Sequence, residues 1–551
     1  MNTINKMKKI GIKIFLVFIW VSLANQAFSQ TAGLLDGANW ITYAIIALVG
    51  IIALFFVIQV ADSFLAMQAK AVGVDTEAVN VSIFPKWNEI VGNSNEPSFL
   101  KDHEVKKFRR GHDILLEGEA KGAIEKAEVR SFAVQPQNFI GMSPIPKVVV
   151  EVGQKVQAGE VLFFDKKRPE VKYVAPVSGE VVAVNRAAKR AIDEIVILAD
   201  AEIEYKSFPI LNIENSSREE LVNHLLESGA WTMIRQRPYN VVAEPEVTPR
   251  DIFISTFDSA PLAPDSNIVV TGREKAFQKG LDVLSRLTSG KVYLGLNGRQ
   301  LPASAFRDAK GVEKIYFKGK HPAGNVGIQI HHVKPIGSKD KVWTLDVQGV
   351  ITIGTLLLKG RFDASRVIAL TGAELKEPKY VNTYIGANIA ELLKSNLAND
   401  HVRFISGDVL SGKQKSEKQF LNYYDDQVTV LEEGDDYELF GWLLPLAPRP
   451  SISNTFPNFL FPDQKFKANT NTHGEKRAFV VTTDYEQVMP VDILVQPLMK
   501  AIMTNDLERM EGLGILELIE EDVALCEFVC TSKMPLQQIL REGLEAMREQ
   551  S

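Results

Sequence analysis

The apolar positions of this chain change their pattern several times, and each change predicts a different kind of element. Lys6, Lys8, Lys9 and Lys13 precede an apolar run over residues 14–24 that ends in Ala27, Phe28 and Ser29. A cationic start, a short apolar middle and a small-residue exit predict a signal peptide over residues 1–29, with an uncleaved first membrane helix as the competing reading. Residues 37–61 contain no charged residue. They are long enough to cross a hydrocarbon core of about 30 Å and predict a transmembrane helix, against a buried core helix. Trp40 and Tyr43 suit an interfacial anchor, and Asp62 marks the far end. The cationic start stays inside, so the second span returns the chain to the cytoplasm, where the body is expected. Residues 62–98 are polar, end in GNSNEP and read as a linker.

Beyond residue 98 the pattern turns to short Val-rich runs broken by Gly and Pro: KVVVEVGQKVQAGEVLFF, KYVAPVSGEVVAVN and AIDEIVILAD. This predicts a compact β unit over residues 99–200. The first two runs resemble the barrel-sandwich hybrid shared by lipoyl and biotinyl carrier domains, with Gly153 and Gly159 at tight turns. Lys166 and Lys167 then fall near the hairpin tip where a carrier bears its modified lysine. Their flanks do not match the carrier triplets, and solvated loop lysines are the simpler reading.

Over residues 201–349 the period lengthens. SREELVNHLLESGAW, opened by Ser216 with Glu219 three residues on, predicts a capped helix. The segments DIFIST, NIVVTG and KVYLGL predict strands around the helix EKAFQKGLDVLSRLT, which together argue for a Rossmann-like α/β layer. No strand is followed by G-x-G-x-x-G. The motifs GLNG at Gly295 to Gly298 and GLG at Gly512 to Gly514 are too short to replace it, so no tight dinucleotide site is expected. ITIGTLLLKG and RVIALTG read as strands, with a helix from about Ala387, and predict a β-grasp (SLBB-like) domain over residues 350–430. Residues 431–551 are turn-rich at first and helical in period from Tyr485, predicting a mostly helical C-terminal domain. The fold class is therefore α+β and multidomain.

A chain of 551 residues accommodates about three or four such domains. A net charge of -6 without a basic stripe gives no sign of nucleic-acid binding. Cys526 and Cys530 are the chain's two cysteines, too few for an iron-sulfur cluster or a four-cysteine zinc site. Cys526 within ALCEFVC reads as a small buried hydrophobe. His321, His331 and His332 lack acidic or cysteine partners at ligand spacing and read as structural. Asp258 and Asp408 stand in turn-rich settings where aspartate caps turns, and neither is taken as a general acid or base. No catalytic or metal-ligating residue is assigned. The S-G-A-T type sequence needed for a covalent flavin is absent.

Nine ordered blocks carry a resemblance to one family: FIGMSPIPKVVVEVGQKVQAGEVLFFDKK, APVSGEVVAVNRAAKR, AWTMIRQRPY, IFISTFDSAPLAPD, TGREKAFQKGLDVL, HPAGNVGIQIHH, RFISGDVLSG, YEQVMPVDIL and EDVALCEFVC. They resemble the A-type subunits of the sodium-translocating NADH:quinone oxidoreductases (Na+-NQR), and run from about Phe139 to Cys530. The resemblance implies a place in a six-subunit bacterial inner-membrane complex that couples NADH oxidation and quinone reduction to sodium export. It implies that the flavins (FAD, FMN, riboflavin) and iron-sulfur centres lie on other subunits. The chain would be a scaffold or quinone-proximal component next to the quinone- and FMN-bearing B-type membrane subunit, with the added anchor placing its body on the cytoplasmic side. An apolar quinone groove has no sequence signature, so no residue is assigned to it. Two other readings compete. A membrane-fusion-type envelope adaptor also joins one anchor to a lipoyl-like barrel, but it needs long heptad hairpins between Phe163 and Val174, where only a short loop fits. A dehydrogenase acting alone would need the missing nucleotide fingerprint.

Overall fold

The computed structural model describes residues 97–551, apart from 102, 437–440, 442–447, 454, 455 and 551, and a few scattered earlier positions. The expected signal peptide, membrane helix and linker lie outside the described residues save for those positions. Among the described residues no helix is long and apolar enough to cross a membrane.

Two short strands, β1 (Val105–Lys107) and β2 (Lys121–Lys126), open the body and join sheets made by much later residues. The segment read as the start of the β unit is thus divided between two later sheets. The β unit itself contains β3 (Ser131–Val134), β4 (Lys147–Val148), β5 (Lys155–Val156), β6 (Val161–Asp165), β7 (Arg168–Val174), β8 (Gly179–Arg186) and β9 (Ile192–Ala199). They form two small antiparallel sheets, β3-β9-β8-β5 and β4-β6-β7. Side chains alternate along β8, so Val181 enters the core while Val182 faces water. Phe163 and Tyr173 stack with ring centroids 4.9 Å apart between the sheets. Gly179 is required where β8 meets β9, because a Cβ there would overlap the Leu198 carbonyl.

The α/β layer follows with α1 (Arg218–Ser228), β10 (Arg235–Arg237), β11 (Val241–Val242), β12 (Asp251–Ser255), α2 (Glu274–Leu287), β13 (Val292–Asn297), β14 (Glu313–Lys318), α3 (Val326–Val333), β15 (Val342–Leu345) and α4 (Val347–Lys359). Its sheet has the order β1-β14-β13-β12-β15-β10-β11, with the first five strands parallel and β10 antiparallel to both its neighbours, β15 and β11. Three local readings of the sequence are corrected here. The capping box of α1 lies one residue later than expected: Ser217 Oγ accepts from Glu220 N at 3.1 Å, and Ser217 N donates to Glu220 Oε2 at 2.8 Å. NIVVTG is no strand; Asp265 caps a short helix over Ser266–Val270. ITIGTLLLKG belongs to α4, capped by Asp346 and closed by left-handed Gly360. A helix buried all round shows no 3.6-residue stripe, so its β-branched run imitated a buried strand.

The β-grasp sheet comprises β16 (Ser365–Thr371), β17 (Lys379–Tyr384), β18 (Val402–Ser406), β19 (Lys413–Lys415) and β20 (Gln427–Glu432), ordered β19-β18-β20-β16-β17-β2. The helix expected from Ala387 is a single turn over Ile389–Leu392, with Asn388 as its cap. The C-terminal helices are α5 (Asp484–Val488), α6 (Val495–Met503), α7 (Leu507–Gly512), α8 (Glu520–Val529) and α9 (Leu536–Gln550). Leu498, Met499, Leu525, Cys526, Leu536 and Leu540 fill their separate core. Each such large side chain contributes about 1.5–3 kcal/mol on burial.

Candidate functional site

In an open parallel sheet, ligands are received beyond the carboxyl ends of the strands, where successive crossovers leave in opposite directions. Here the chain runs from β12 outward through β13 to β14, then returns by α3 to β15 on the other side of β12. The reversal lies between β12 and β15. The loop beyond β12 presents Thr256, Asp258 and Ser259, and the end of β15 presents Asp346. Helix α4 starts there, and its free N–H groups would be the natural seat for a phosphate.

That seat is filled by the chain itself. Asp346 Oδ1 accepts from Gly349 N in the first turn of α4, and Asp346 Oδ2 lies 3.3 Å from Arg366 Nη1. The same guanidinium nitrogen donates to Asp426 Oδ1 at 2.6 Å. Arg366 projects from β16, is 1% exposed, and also lies 3.7 Å from Met233 Sδ, so this network fastens the β-grasp sheet to the α/β sheet. Gln348 adds a neutral clasp, donating to Val367 O and accepting from Val367 N, each at 2.9 Å. Burial pushes the Asp426 carboxyl up to about 6, although Arg366 opposes the shift.

More carboxylates surround the crevice. Asp258 is an exposed residue, yet desolvation by the protein packed around its carboxyl, then the charge of Asp408, pushes it up to about 6. Both aspartates make turn-capping bonds: Asp258 Oδ1 accepts from Ala260 N at 2.8 Å, and Asp408 Oδ1 from Leu410 N at 2.6 Å. Arg237, buried at the end of β10, donates to Asp522 Oδ2 at 3.0 Å and to Glu521 Oε1 at 3.1 Å. Burial, then neighbouring Asp522, pushes Glu521 up to about 7. An anionic dinucleotide entering here would meet Asp258, Asp346, Asp408 and Asp426, and the residues do not fit it.

The histidines take three separate places. His321 Nδ1 pairs with Ser259 Oγ at 3.1 Å, while its Nε2 is buried without a partner, and burial lowers its pKa. His331 Nδ1 meets Glu517 Oε2 at 2.9 Å, and His332 Nε2 meets Pro490 O at 2.6 Å. Among the described residues no three His, Cys, Asp or Glu side chains are grouped as a metal would require. Cys526 and Cys530 are free and buried, and Cys530 Sγ accepts from Tyr485 Oη at 3.0 Å. Lys166 and Lys167 are the exposed two-residue turn between β6 and β7. That turn leaves no room for an adaptor's helical hairpin. Gly295 lies inside β13 and Gly514 follows α7, far from any strand-to-helix phosphate turn.

Sequence reasoning missed Arg237, Asp346, Arg366 and Asp426. A signal was present for Arg366, since SRVIALT sets an arginine in a strand-like apolar run, where a buried ion pair makes it tolerable.

Comparison with known proteins adds an independent line. Residues 106–200 match the family model described as the NqrA N-terminal barrel-sandwich hybrid domain, residues 216–362 the NqrA second alpha/beta domain, and residues 367–417 the NQRA C-terminal domain. The chain is 39% identical over 443 residues to the A-type subunit of the Na(+)-translocating NADH-quinone reductase of Alcanivorax borkumensis, covering 80% of this chain and 98% of that one. It is 38% identical over 447 residues to the protein of the same name from Vibrio atlanticus, covering 80% and 99%. A NAD+-reducing [NiFe]-hydrogenase in the air-oxidized state is a solved structure with 10% identity and a TM-score of 0.34, covering 63% of this chain and 67% of that one.

Proposed function

Because this chain belongs to the NqrA family, the A-type subunits of Na(+)-translocating NADH-quinone reductases, we propose that it serves that complex as a scaffold or quinone-proximal subunit without a redox centre of its own. The complex couples NADH oxidation and quinone reduction to sodium export. The observation that carries the assignment is the match along nearly the whole length of the relatives. The division of labour within the complex rests on this chain's residues. Asp346 and Arg366 occupy the crevice where an α/β sheet takes a nucleotide, and two buried cysteines cannot hold an iron-sulfur cluster. Flavins and clusters then reside on other subunits, and the nearest partner is the FMN-bearing membrane subunit. Residues 37–61 anchor the chain in a bacterial inner membrane, and its body faces the cytoplasm.

The test is a mild-detergent purification of the tagged full-length chain with mass spectrometry of its partners, flavin and iron analysis, and an assay of sodium-stimulated NADH:quinone reductase activity. Recovery of flavin- and iron-bearing membrane subunits with that activity, and a flavin-free chain when it is purified alone, is the expected result. Stoichiometric flavin on the isolated chain would overturn the scaffold reading. Recovery with an outer-membrane channel instead would overturn the complex.

A further inference from the structure

The hairpin that joins β8 to β9 ends in the turn Ala188 to Ala191, where Ala191 N donates to Ala188 O at 3.2 Å. Its central residues, Lys189 and Arg190, both have left-handed backbone, at φ +56° and +65°. Asn-Gly is the pair that meets such a turn at least cost, so a lysine and an arginine stand there against the preference of the backbone. We propose that this hairpin tip, with Arg186 beside it, binds the anionic phospholipid headgroups of the bilayer that holds the chain's anchor. The contact goes beyond the subunit's place in the complex, and it rests on the anchor reading only for bringing the body to a bilayer.

Charge is the first support. Among the described residues, Arg186, Lys189 and Arg190 have no carboxylate at ion-pair distance. Arg186 Nη1 reaches the Arg190 carbonyl, at 3.4 Å. The acidic residues that follow, Asp193 and Glu194, are held by neutral amides instead: Asp193 Oδ1 accepts from Gln137 Nε2 at 3.0 Å, and Glu194 Oε1 from Asn185 Nδ2 at 2.8 Å. The cations of the tip thus keep their charge for an outside partner.

Exposure is the second. Every residue from Asn185 to Arg190 is exposed, so the tip encloses no small ion and suits a broad anionic surface. An apolar residue stands beside it: Ile192 N donates to Pro144 O at 3.2 Å, which lays the loop carrying Ile145 and Lys147 against the start of β9. Ile145 is 40% exposed and Lys147 is exposed, a pairing that suits the boundary between headgroups and acyl chains. The third support is contrast. The whole chain carries a net charge of -6, so most of its surface is repelled by an anionic leaflet and a cationic tip sets which side faces it. Each cation near such a leaflet favours contact about fivefold, and three together on the order of 100-fold.

The experiment places a fluorophore on the tip through Ala188→Cys; Cys526 and Cys530 are buried and stay unlabelled in folded protein. The full-length chain is reconstituted in vesicles of phosphatidylcholine alone, or of about three parts phosphatidylcholine to one of phosphatidylglycerol, each with a headgroup-bound quencher lipid. Quenching is expected with phosphatidylglycerol and not without it, and should vanish in about 1 M KCl, where the Debye length falls to about 3 Å. Lys189→Asn with Arg190→Gly gives the turn its preferred pair, so this variant folds; it should lower the bound-to-free ratio of the tip by about 30-fold. Lys189→Arg should leave that ratio unchanged. Equal quenching in both vesicles, none in either, or indifference to the double substitution would each overturn the proposal. Loss of quenching when inorganic phosphate replaces chloride at constant ionic strength would overturn it too, by marking a site for free phosphate, as would a contact that appears only with the other subunits present. Alkaline carbonate tests the anchor separately. A chain that it releases is floated with the same two vesicle types, where binding to the phosphatidylglycerol vesicles alone supports the tip and any other pattern overturns it.

Discussion

Helices α2 and α4 touch through glycines, and Gly354→Ala shows what that contact is worth. On propensity alone the change should stabilise, since alanine is better than glycine by about 1 kcal/mol within a helix. The structure reverses the sign. A Cβ on residue 354 would overlap the Ala276 carbonyl oxygen and stand 2.7 Å from its carbon and 2.8 Å from Gly280 N. These are backbone atoms, so no side chain can swing aside. Ordinary contact needs about 3.5–4.0 Å, and the helices must part by about 1 Å. Phe277, Leu281, Leu284, Val350, Ile353 and Leu357 then lose close packing; a gap of that size forfeits a quarter to a half of each dispersion contact. Overpacking of this kind costs about 3 kcal/mol, leaving a net loss of about 2 kcal/mol after the propensity gain. The α/β transition should melt about 4–8 °C lower, read by scanning fluorimetry of the full-length chain in detergent. Gly512→Ala is the control, because a Cβ there meets nothing within 4 Å. A Gly354→Ala protein that melts at or above the parent temperature would refute the reasoning.

Three further outcomes follow from the same coordinates. Asp346→Ala removes the α4 cap and half of the counter-charge on buried Arg366, and should cost about 3–5 kcal/mol, seen as a lower urea midpoint with loss of β-grasp signals first. Asp258 is protonated more readily in the folded chain than in the unfolded one, so its contribution favours folding at low pH and is lost as pH rises from about 4 through about 6. Asp258→Asn should therefore raise the melting temperature at pH 8 and leave it unchanged at pH 4; a uniform shift at both would count against this. Cys526 and Cys530 are buried, and neither should react with a thiol reagent until guanidinium is added, when both should.

Most elements legible in the sequence have one wet face or clear turn residues at their ends; the buried strands β12 and β16 were legible as short β-branched runs. Strands β6 to β9 alternate or are bounded by glycine turns, and α2 carries a clear apolar stripe through Phe277, Leu281 and Leu284. The resemblance blocks also fell where the structure brings chain segments together, with RQRPY, FDSAPLAPD, SGD and EDVAL all meeting at the crevice. What escaped most clearly was one long buried helix. Val347 to Leu357 is buried on every side, so hydrophobic period says nothing about helix or strand. Asp346 and Gly360 at its ends gave the answer, as an N-cap and a left-handed stop.

The crevice was illegible for a related reason. Asp346, Arg366 and Asp426 are far apart in the chain, and each looks ordinary in its own neighbourhood. Periodicity reports what one element presents to its surroundings, but an ion network is a property of two sheets at once. The partial exception is instructive. Arg366 within SRVIALT contradicts its own apolar surroundings, and a full charge in such a run is tolerated only when a partner is certain to arrive. The two carboxylates that neutralise it come from α4's cap and from the residue before β20, so the α/β and β-grasp sheets must both be formed before the charge is satisfied. The same network that closes the nucleotide seat therefore couples the two sheets and holds the body together.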